Sequence, residues 1–180
     1  MRVIDAVAHS HFVLGIIRLH QEDEDYFLRC LVEKDVQYEP VWESDYVALM
    51  RKDHPLARRE QLTAQDFEDY IQIAFGDEEV PYIRVSETEI PKGADKVKRI
   101  LVYDRAMQFD ILRTNPLAYV LVSPLPEELL RQNGLVQRRF RGHGHFKDLL
   151  ISRAGYRLSK LDREFLDKLY LQKNKVAYGV

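Results

Sequence analysis

The feature that most constrains this chain is an alternation of short apolar runs with segments of helical periodicity. Runs such as "YIQIAF", "KRILVY" and "LAYVLVS" have the length and β-branched content of buried strands. Between and after them lie segments such as "DRAMQFDILRT" and "PEELLRQ", whose composition is typical of short helices. Strands that alternate with helices are typical of α/β proteins, so we predict an α/β fold with a largely parallel sheet.

Capping signals place several helix boundaries. Thr63 and Ser159 each precede an aspartate by three residues, which is the pattern of a capping box. They predict a short helix over about 64–70 and a final amphipathic helix that begins near Ser159. Three apolar residues are expected on one face of that final helix: Leu161, Phe165 and Leu169.

Composition excludes several classes of protein. The 180 residues carry a net charge of −2, so the chain lacks the basic character of a nucleic-acid-binding domain. The only cysteine, Cys30, excludes an internal disulfide and favours a reducing compartment. No apolar run is long enough to span a bilayer, and the N-terminus has no signal-peptide pattern. We therefore predict a cytoplasmic location without membrane contact.

The pair Asp53-His54 is the most enzyme-like local feature. A catalytic role would need a nucleophile or metal beside it, and the flanking sequence supplies neither. Pro55 disfavours a helix at His54, so the segment is predicted to end a strand and to turn a corner. No paired carboxylates, nucleophile motif or phosphate loop is found elsewhere, so we predict no enzymatic activity and no cofactor.

Two H-x-H pairs are candidate metal ligands. His9 with His11, and His143 with His145, would each point to one side of a strand. Neither pair has a neighbouring cysteine or an evident set of carboxylates. The glycine-rich "RGHGH" is better explained as a turn, so we predict no metal site.

The ends of the predicted strands are the best candidates for a binding site. Ligands of parallel α/β sheets bind at the carboxyl ends of the strands. Those ends fall at Phe75-Gly76-Asp77, at Tyr103-Asp104-Arg105 and at Ser123-Pro124. Two of the three lead directly into a predicted helix, whose N-terminal N–H groups favour an anion.

The order of motifs resembles the effector-binding domain of LysR-type transcriptional regulators. "YVALMRKDHPLA" followed by "LTAQDFEDYIQI" is similar to that family's strand, H-P-L-A tetrapeptide and helix that begins with threonine. "VIDAVAHSHFVLGIIR" is similar to its helix-strand unit, and "GLVQRRF" with the segment after it resembles its return strands and closing helix. The resemblance covers essentially the whole chain in the correct order.

The resemblance implies a two-lobed fold like that of type 2 periplasmic binding proteins, with crossover strands and an effector cleft between the lobes. Residues 1–44 would be a remnant of lobe I, 45–142 lobe II with a mostly parallel sheet, and 143–180 the return to lobe I with its closing helix. The family's opening strand-helix-strand unit and its helix-turn-helix domain are expected to be missing. The first lobe would then be partial.

The implied function is a ligand-sensing domain that controls DNA binding by a separate helix-turn-helix domain. The alternative from the same fold is a stand-alone solute-binding protein. The effector would be a small, anionic metabolite, because an arginine can grip a carboxylate and a hydroxyl can bond to the same group. Family members pair their effector domains, so a homo-oligomer is expected in the parent protein. Six residues form the predicted effector site: Phe75, Asp77, Tyr103, Asp104, Arg105 and Ser123.

Overall fold

The computed structural model describes residues 2–76, 98–142 and 144–178. The chain forms five α-helices in this part, numbered in chain order: α1 Arg2–Ala8, α2 Glu24–Glu33, α3 Arg105–Thr114, α4 Glu127–Asn133 and α5 Lys160–Tyr178. Nine strands accompany them: β1 Leu14–His20, β2 Val36–Asp45, β3 Val47–Arg51, β4 Gln61–Thr63, β5 Ile71–Phe75, β6 Lys98–Val102, β7 Ala118–Val122, β8 Leu135–Arg141 and β9 His145–Arg153. No helix among the described residues is long and apolar enough to cross a membrane.

The local signals locate most of these boundaries. The backbone N–H of Thr63 donates to the Asp66 carboxylate at 2.8 Å, and that of Ser159 donates to Asp162 at 2.7 Å, so both capping boxes are confirmed. The first box begins only a 3-10 helix over 64–67, which is shorter than the predicted helix over 64–70. The mixed α/β class is likewise confirmed.

The chain divides into two compact units. Unit 1 comprises Met1–Ser44 and His145–Val180, and unit 2 comprises Asp45–Gly144. The chain therefore leaves unit 1 between β2 and β3 and returns to it between β8 and β9.

Unit 1 is built on a three-stranded sheet in the order β1-β9-β2. β1 and β9 are antiparallel, with Leu14 opposite Ser152 and His20 opposite Phe146. Helix α1 lies over this sheet at Gly15, where a Cβ would come within 2.8 Å of the Val3 side chain. A larger residue at this point would therefore push α1 away from the sheet. The single thiol, Cys30, is buried on α2.

The buried face of α5 differs from the predicted one. Asp162 and Leu166 are buried, whereas two of the three residues predicted on the inner face, Leu161 and Phe165, are exposed. The third, Leu169, is half-buried and packs against the cluster that contains Leu166. Asp162 accepts hydrogen bonds from Ser159 and from the Tyr156 hydroxyl, and these bonds lower the pKa of its carboxyl. The capping aspartate thus occupies the inward position, which turns the preceding leucine outward.

Unit 2 is built on a six-stranded sheet in the order β4-β8-β3-β7-β5-β6. Three of its five strand pairs are parallel, namely β7–β5, β5–β6 and β4–β8, and β4 is a strand that the sequence did not predict. β3 is the exception in this mostly parallel sheet, because it is antiparallel to both β7 and β8. β3 begins beside the carboxyl end of β7, with Val47 opposite Val122, so it runs in the direction opposite to β5, β6 and β7.

Apolar clusters cover both faces of this sheet. On one face α3 and α4 pack over a cluster that includes Leu49, Ile73 and Val120. On the other face Leu56, Ala57 and several larger side chains cover Ala48, Met50 and Tyr119. The central strands β3 and β7 are buried on both faces, which explains why both are nearly continuous apolar runs.

Candidate functional site

Three strands end side by side along one edge of the unit 2 sheet. β7, β5 and β6 are neighbours and run parallel, so their carboxyl ends, Val122, Phe75 and Val102, lie at the same edge. Phe75 is opposite Val102 in the register of β5 and β6. The residues that follow each strand are therefore brought together although up to about fifty positions separate them in sequence.

The ends of β5 and β6 are joined by backbone and side-chain contacts. The N–H of Gly76 donates to the Val102 carbonyl at 2.8 Å. The exposed Tyr103 ring lies against the same glycine, since a Cβ on Gly76 would come within 2.7 Å of ring atom Cε1. The absence of a side chain at Gly76 therefore lets Tyr103 lie across the strand end.

Helix α3 begins at this edge. The Asp104 carboxylate accepts a hydrogen bond from the Ala106 N–H at 2.7 Å, so Asp104 is the N-cap of this helix. Arg105 is the first residue of the helix. The capping bond gives Asp104 a structural role, and its charge disfavours an anion at the same N–H groups. An anionic ligand here would need a cationic partner.

A glutamine clamp holds the loop that carries Ser123. Ser123 is half-buried and directly follows β7. Two residues later the Leu125 N–H donates to Gln137 Oε1 at 2.9 Å, and Gln137 Nε2 donates back to the Leu125 carbonyl at 3.2 Å. Sequence analysis missed Gln137, because a lone glutamine in a strand has no local pattern that distinguishes it from a solvent-facing residue.

Five of the six residues predicted as site residues occupy this edge by backbone position: Phe75, Tyr103, Asp104, Arg105 and Ser123. The sixth, Asp77, lies outside the described residues. The arrangement offers an aromatic ring, a hydroxyl and a helix N-terminus at one end of a rigid sheet. Such a set can orient a small polar molecule, whereas a role in ligand binding stays a prediction for each residue.

The side chains of Asp53 and His54 lie in different environments in the fold. Asp53 is exposed and its carboxylate accepts two hydrogen bonds from Arg51, at 2.7 and 2.6 Å. His54 is only 2% exposed, with its ring 4.6 Å from that of Tyr70, and its Nδ1 accepts from the Leu56 N–H at 3.1 Å. The two side chains therefore have different partners. His54 stabilises the turn that follows β3 through its hydrogen bond with Leu56.

The buried His54 should make the stability of unit 2 depend on pH. Burial lowers the pKa of His54 below 6.5, while the Leu117 backbone and the charge of Asp53 act more weakly in the opposite direction. As pH falls below about 6.5, the unfolded chain binds the proton before the folded chain does, so the free energy of unfolding decreases. Chemical denaturation between about pH 7 and pH 5 should show this decrease.

A His54→Asn variant separates titration from the turn. Asparagine can accept the same i+2 N–H hydrogen bond but does not titrate. We expect the variant to be less stable at neutral pH, because it fills less of the buried site, and to lose much of the pH dependence between about pH 7 and pH 5. If the free energy of unfolding of the variant depends on pH as strongly as before, other titratable groups cause the pH dependence.

The candidate metal ligands do not form a metal site in the described residues. His9 Nδ1 lies 2.8 Å from the Asp5 carbonyl at the end of α1, and the ring centroids of His9 and His11 are 6.3 Å apart. His145 Nε2 lies 3.5 Å from Glu43, and His143 is outside the described residues. No group of three or more His, Cys, Asp or Glu side chains in the described ranges could hold a metal ion.

The sequence model of the LysR substrate binding domain matches residues 1–170. No curated protein matches the chain in a sequence search.

Solved regulatory domains of the LysR family have a similar fold at low sequence identity. The regulatory domain of MetR from N. meningitidis is 13% identical with a TM-score of 0.59, and the match covers 97% of this chain and 75% of that one. The effector binding domain of QuiR in complex with shikimate is 15% identical with a TM-score of 0.61, over 97% and 77% of the two chains. The CcmR regulatory domain of Synechocystis PCC6803 in complex with 2-PG is 18% identical with a TM-score of 0.59, over 96% and 79%.

These likenesses show the two-lobed fold of LysR regulatory domains, which is like that of periplasmic binding proteins. The match to the family model extends over almost the entire sequence. The chain belongs to the LysR substrate binding domain family.

Proposed function

We propose that this chain is a ligand-sensing domain that binds a small, anionic metabolite and thereby controls DNA binding by a separate helix-turn-helix domain. Its role is regulatory and not enzymatic. Binding would favour one of two conformations of the parent protein, which requires a different affinity of the effector for each conformation. A homo-oligomeric parent protein would transmit that preference to paired DNA-binding domains.

The observation that carries the proposal is the alignment of three strand ends in unit 2. The ends of β7, β5 and β6 lie at one edge, and the half-buried Ser123, the exposed Tyr103 and the start of α3 follow them directly. Ligands of open α/β sheets bind at such an edge. Both QuiR and CcmR domains were crystallised with small molecules, which supports a small-molecule ligand for this chain.

The preference for an anion rests on residue chemistry. Arg105 is the first residue of α3, where a guanidinium and the positive end of the helix dipole would act on the same ligand group. Ser123 would donate its hydroxyl to that group from the neighbouring strand end. Asp104 would stay on the helix as its cap, so the positive charge of Arg105 would have to outweigh the negative charge of Asp104 at this site.

Thermal-shift titration against a panel of organic acids and their neutral amide analogues tests this function. We expect stabilisation by at least one acid and none by its amide. Arg105→Ala and Ser123→Ala should each weaken binding about tenfold or more, because each removes a hydrogen bond to a charged group. Calorimetric titration with the acid that gives the shift would provide the affinities.

Arg113→Ala is the matched control for Arg105→Ala. It removes the same charge from the same helix, but from the last turn, where Arg113 pairs with Asp110 and Asn133. Its affinity should equal that of the unaltered chain. Equal losses in the two variants would point to a general charge effect, and full affinity in Arg105→Ala would contradict the proposed site.

A further inference from the structure

β8 ends at the same edge of the unit 2 sheet as β7, β5 and β6. β3 is antiparallel to both β7 and β8, so β8 runs in the same direction as β7. Val47 of β3 is opposite Val122 of β7 on one side and opposite Arg139 of β8 on the other. Arg139 therefore lies level with the end of β7, with the two backbones about 10 Å apart across β3.

Two arginines at this end of β8 project from the face of the sheet that carries the Gln137 clamp. Leu135 lies in the apolar cluster that α3 and α4 cover, and Gln137 binds the Leu125 backbone. Because every second side chain of a strand points to the same face, Arg139 and Arg141 lie on this face too. The clamp and the two arginines therefore follow one another along the strand toward its carboxyl end.

Neither arginine side chain has a partner among the described residues. Both are exposed, and neither guanidinium forms an ion pair or a hydrogen bond in the part of the chain that the structure describes. Gln61 and Val47, on the strands either side of Arg139, are uncharged. Thr63, which is opposite Arg141, is uncharged as well. Two residues along a strand span about 7 Å, so both guanidinium groups can reach one anionic group.

We propose that Arg139 and Arg141 form a second cationic contact for the effector, which therefore carries two anionic groups. The inference rests on the proposed function: one anionic group would bind to Ser123 and the start of α3, and the other to the arginine pair. A guanidinium donates paired hydrogen bonds to a carboxylate or a phosphate, so dicarboxylates and phosphorylated carboxylic acids are the candidate classes. A ligand with a single anionic group would leave one contact empty and bind more weakly.

The Gln137 clamp connects the two contacts. It joins the loop that carries Ser123 to β8, two residues before Arg139. The arginine side chains would bridge part of the separation of about 10 Å between β7 and β8. The effector should therefore have only a short carbon chain between its anionic groups.

Titration with inorganic phosphate tests the arginine pair directly. In nuclear magnetic resonance spectra of the full chain, the arginine Nε–H signals report the contacts of each guanidinium, and Arg139→Lys and Arg141→Lys identify the signals of the pair. Both signals should shift with phosphate and saturate together. Arg29 is the control, because it is also exposed, on α2, and has no ion pair among the described residues. A pair that shifts no more than Arg29 would contradict the proposal.

Calorimetric titration compares acids that differ by one anionic group. The probes are succinate and glutarate with their monoamides, and phosphoglycerate with glycerate, so that dicarboxylates and phosphorylated acids are distinguished. At least one acid with two anionic groups should bind about tenfold or more tightly than its partner with one, because it gains charge-assisted hydrogen bonds. Arg139→Ala and Arg141→Ala should each remove most of this preference, whereas Arg29→Ala should retain it.

Failure of this inference differs from failure of the proposed function. If acids with one and with two anionic groups bind equally, or if the preference persists in both alanine variants of the pair, the second contact is wrong while the effector site stands. If no acid binds, the proposed function is contradicted and the inference with it, whatever the phosphate titration shows. The variants should keep the circular dichroism spectrum of the unaltered chain, because both arginine side chains are exposed.

Discussion

Leu49→Ala is expected to lower the free energy of unfolding of unit 2 by about 3 kcal/mol, the largest effect of any substitution considered. Leu49 is 1% exposed and lies on β3, opposite Val120 of β7 and Gln137 of β8. It packs in the cluster that α3 and α4 cover. Because strands surround it on both sides, the backbone cannot collapse into the cavity that the substitution leaves.

Denaturation monitored by far-UV circular dichroism measures this loss, and hydrogen exchange assigns it to unit 2. Exchange should accelerate most in the amides of β7 and β5, which pack around the cavity. Leu101→Ala is the matched control, because it removes the same atoms from an exposed position on β6. It should change stability by no more than about 0.5 kcal/mol. Equal effects of the two substitutions would place Leu49 outside the core.

Arg18→Ala is expected to destabilise unit 1 by about 2 kcal/mol. Arg18 donates two hydrogen bonds of 2.7 Å to Asp148, which is directly opposite in the register of β1 and β9. Its guanidinium also lies 4.2 Å from the centroid of the Phe146 ring. The Asp148 side chain is only 12% exposed, so it would stay largely desolvated after the loss of both bonds.

The same denaturation experiment measures this effect, with two comparison variants. Arg18→Lys keeps the charge but cannot form the bidentate contact, so it should recover only part of the lost stability. Arg131→Ala removes an equally short ion pair, with Glu128, from the surface of one helix. It should have little effect, because both partners stay solvated. A similar loss in Arg131→Ala would show that burial of the carboxylate is not the cause.

Local patterns in the sequence accounted for much of the fold. The apolar runs predicted the strands that form β3, β5, β6 and β7. For the central strands β3 and β7 the reason is that a strand buried on both faces must be apolar throughout. The Thr63 and Ser159 capping boxes predicted two helix starts, since the bonds involved join residues only three positions apart. The order of the motifs along the chain also predicted the family, because that order can be read without knowing which residues are in contact.

The candidate site was predicted in position but not in detail. Strand ends could be found from the sequence, and five of the six predicted residues lie at one edge of the sheet. Gln137 could not be found, because its clamp on Leu125 depends on where β8 lies relative to the loop after β7. The side-chain distances at Gly76 and Tyr103 likewise depend on the pairing of β5 with β6.

The sequence by itself determined the elements, their caps and the family, because periodicity and capping depend on residues close together in the chain. Only the tertiary structure decided the direction of β3, the inward face of α5 and the pairing of Arg18 with Asp148, which are 130 positions apart. Among the described residues it also decided which strands lie at the edges of the sheets, namely β1 and β2 in unit 1 and β4 and β6 in unit 2. These features depend on which distant segments meet, and that choice is made by packing of the whole chain.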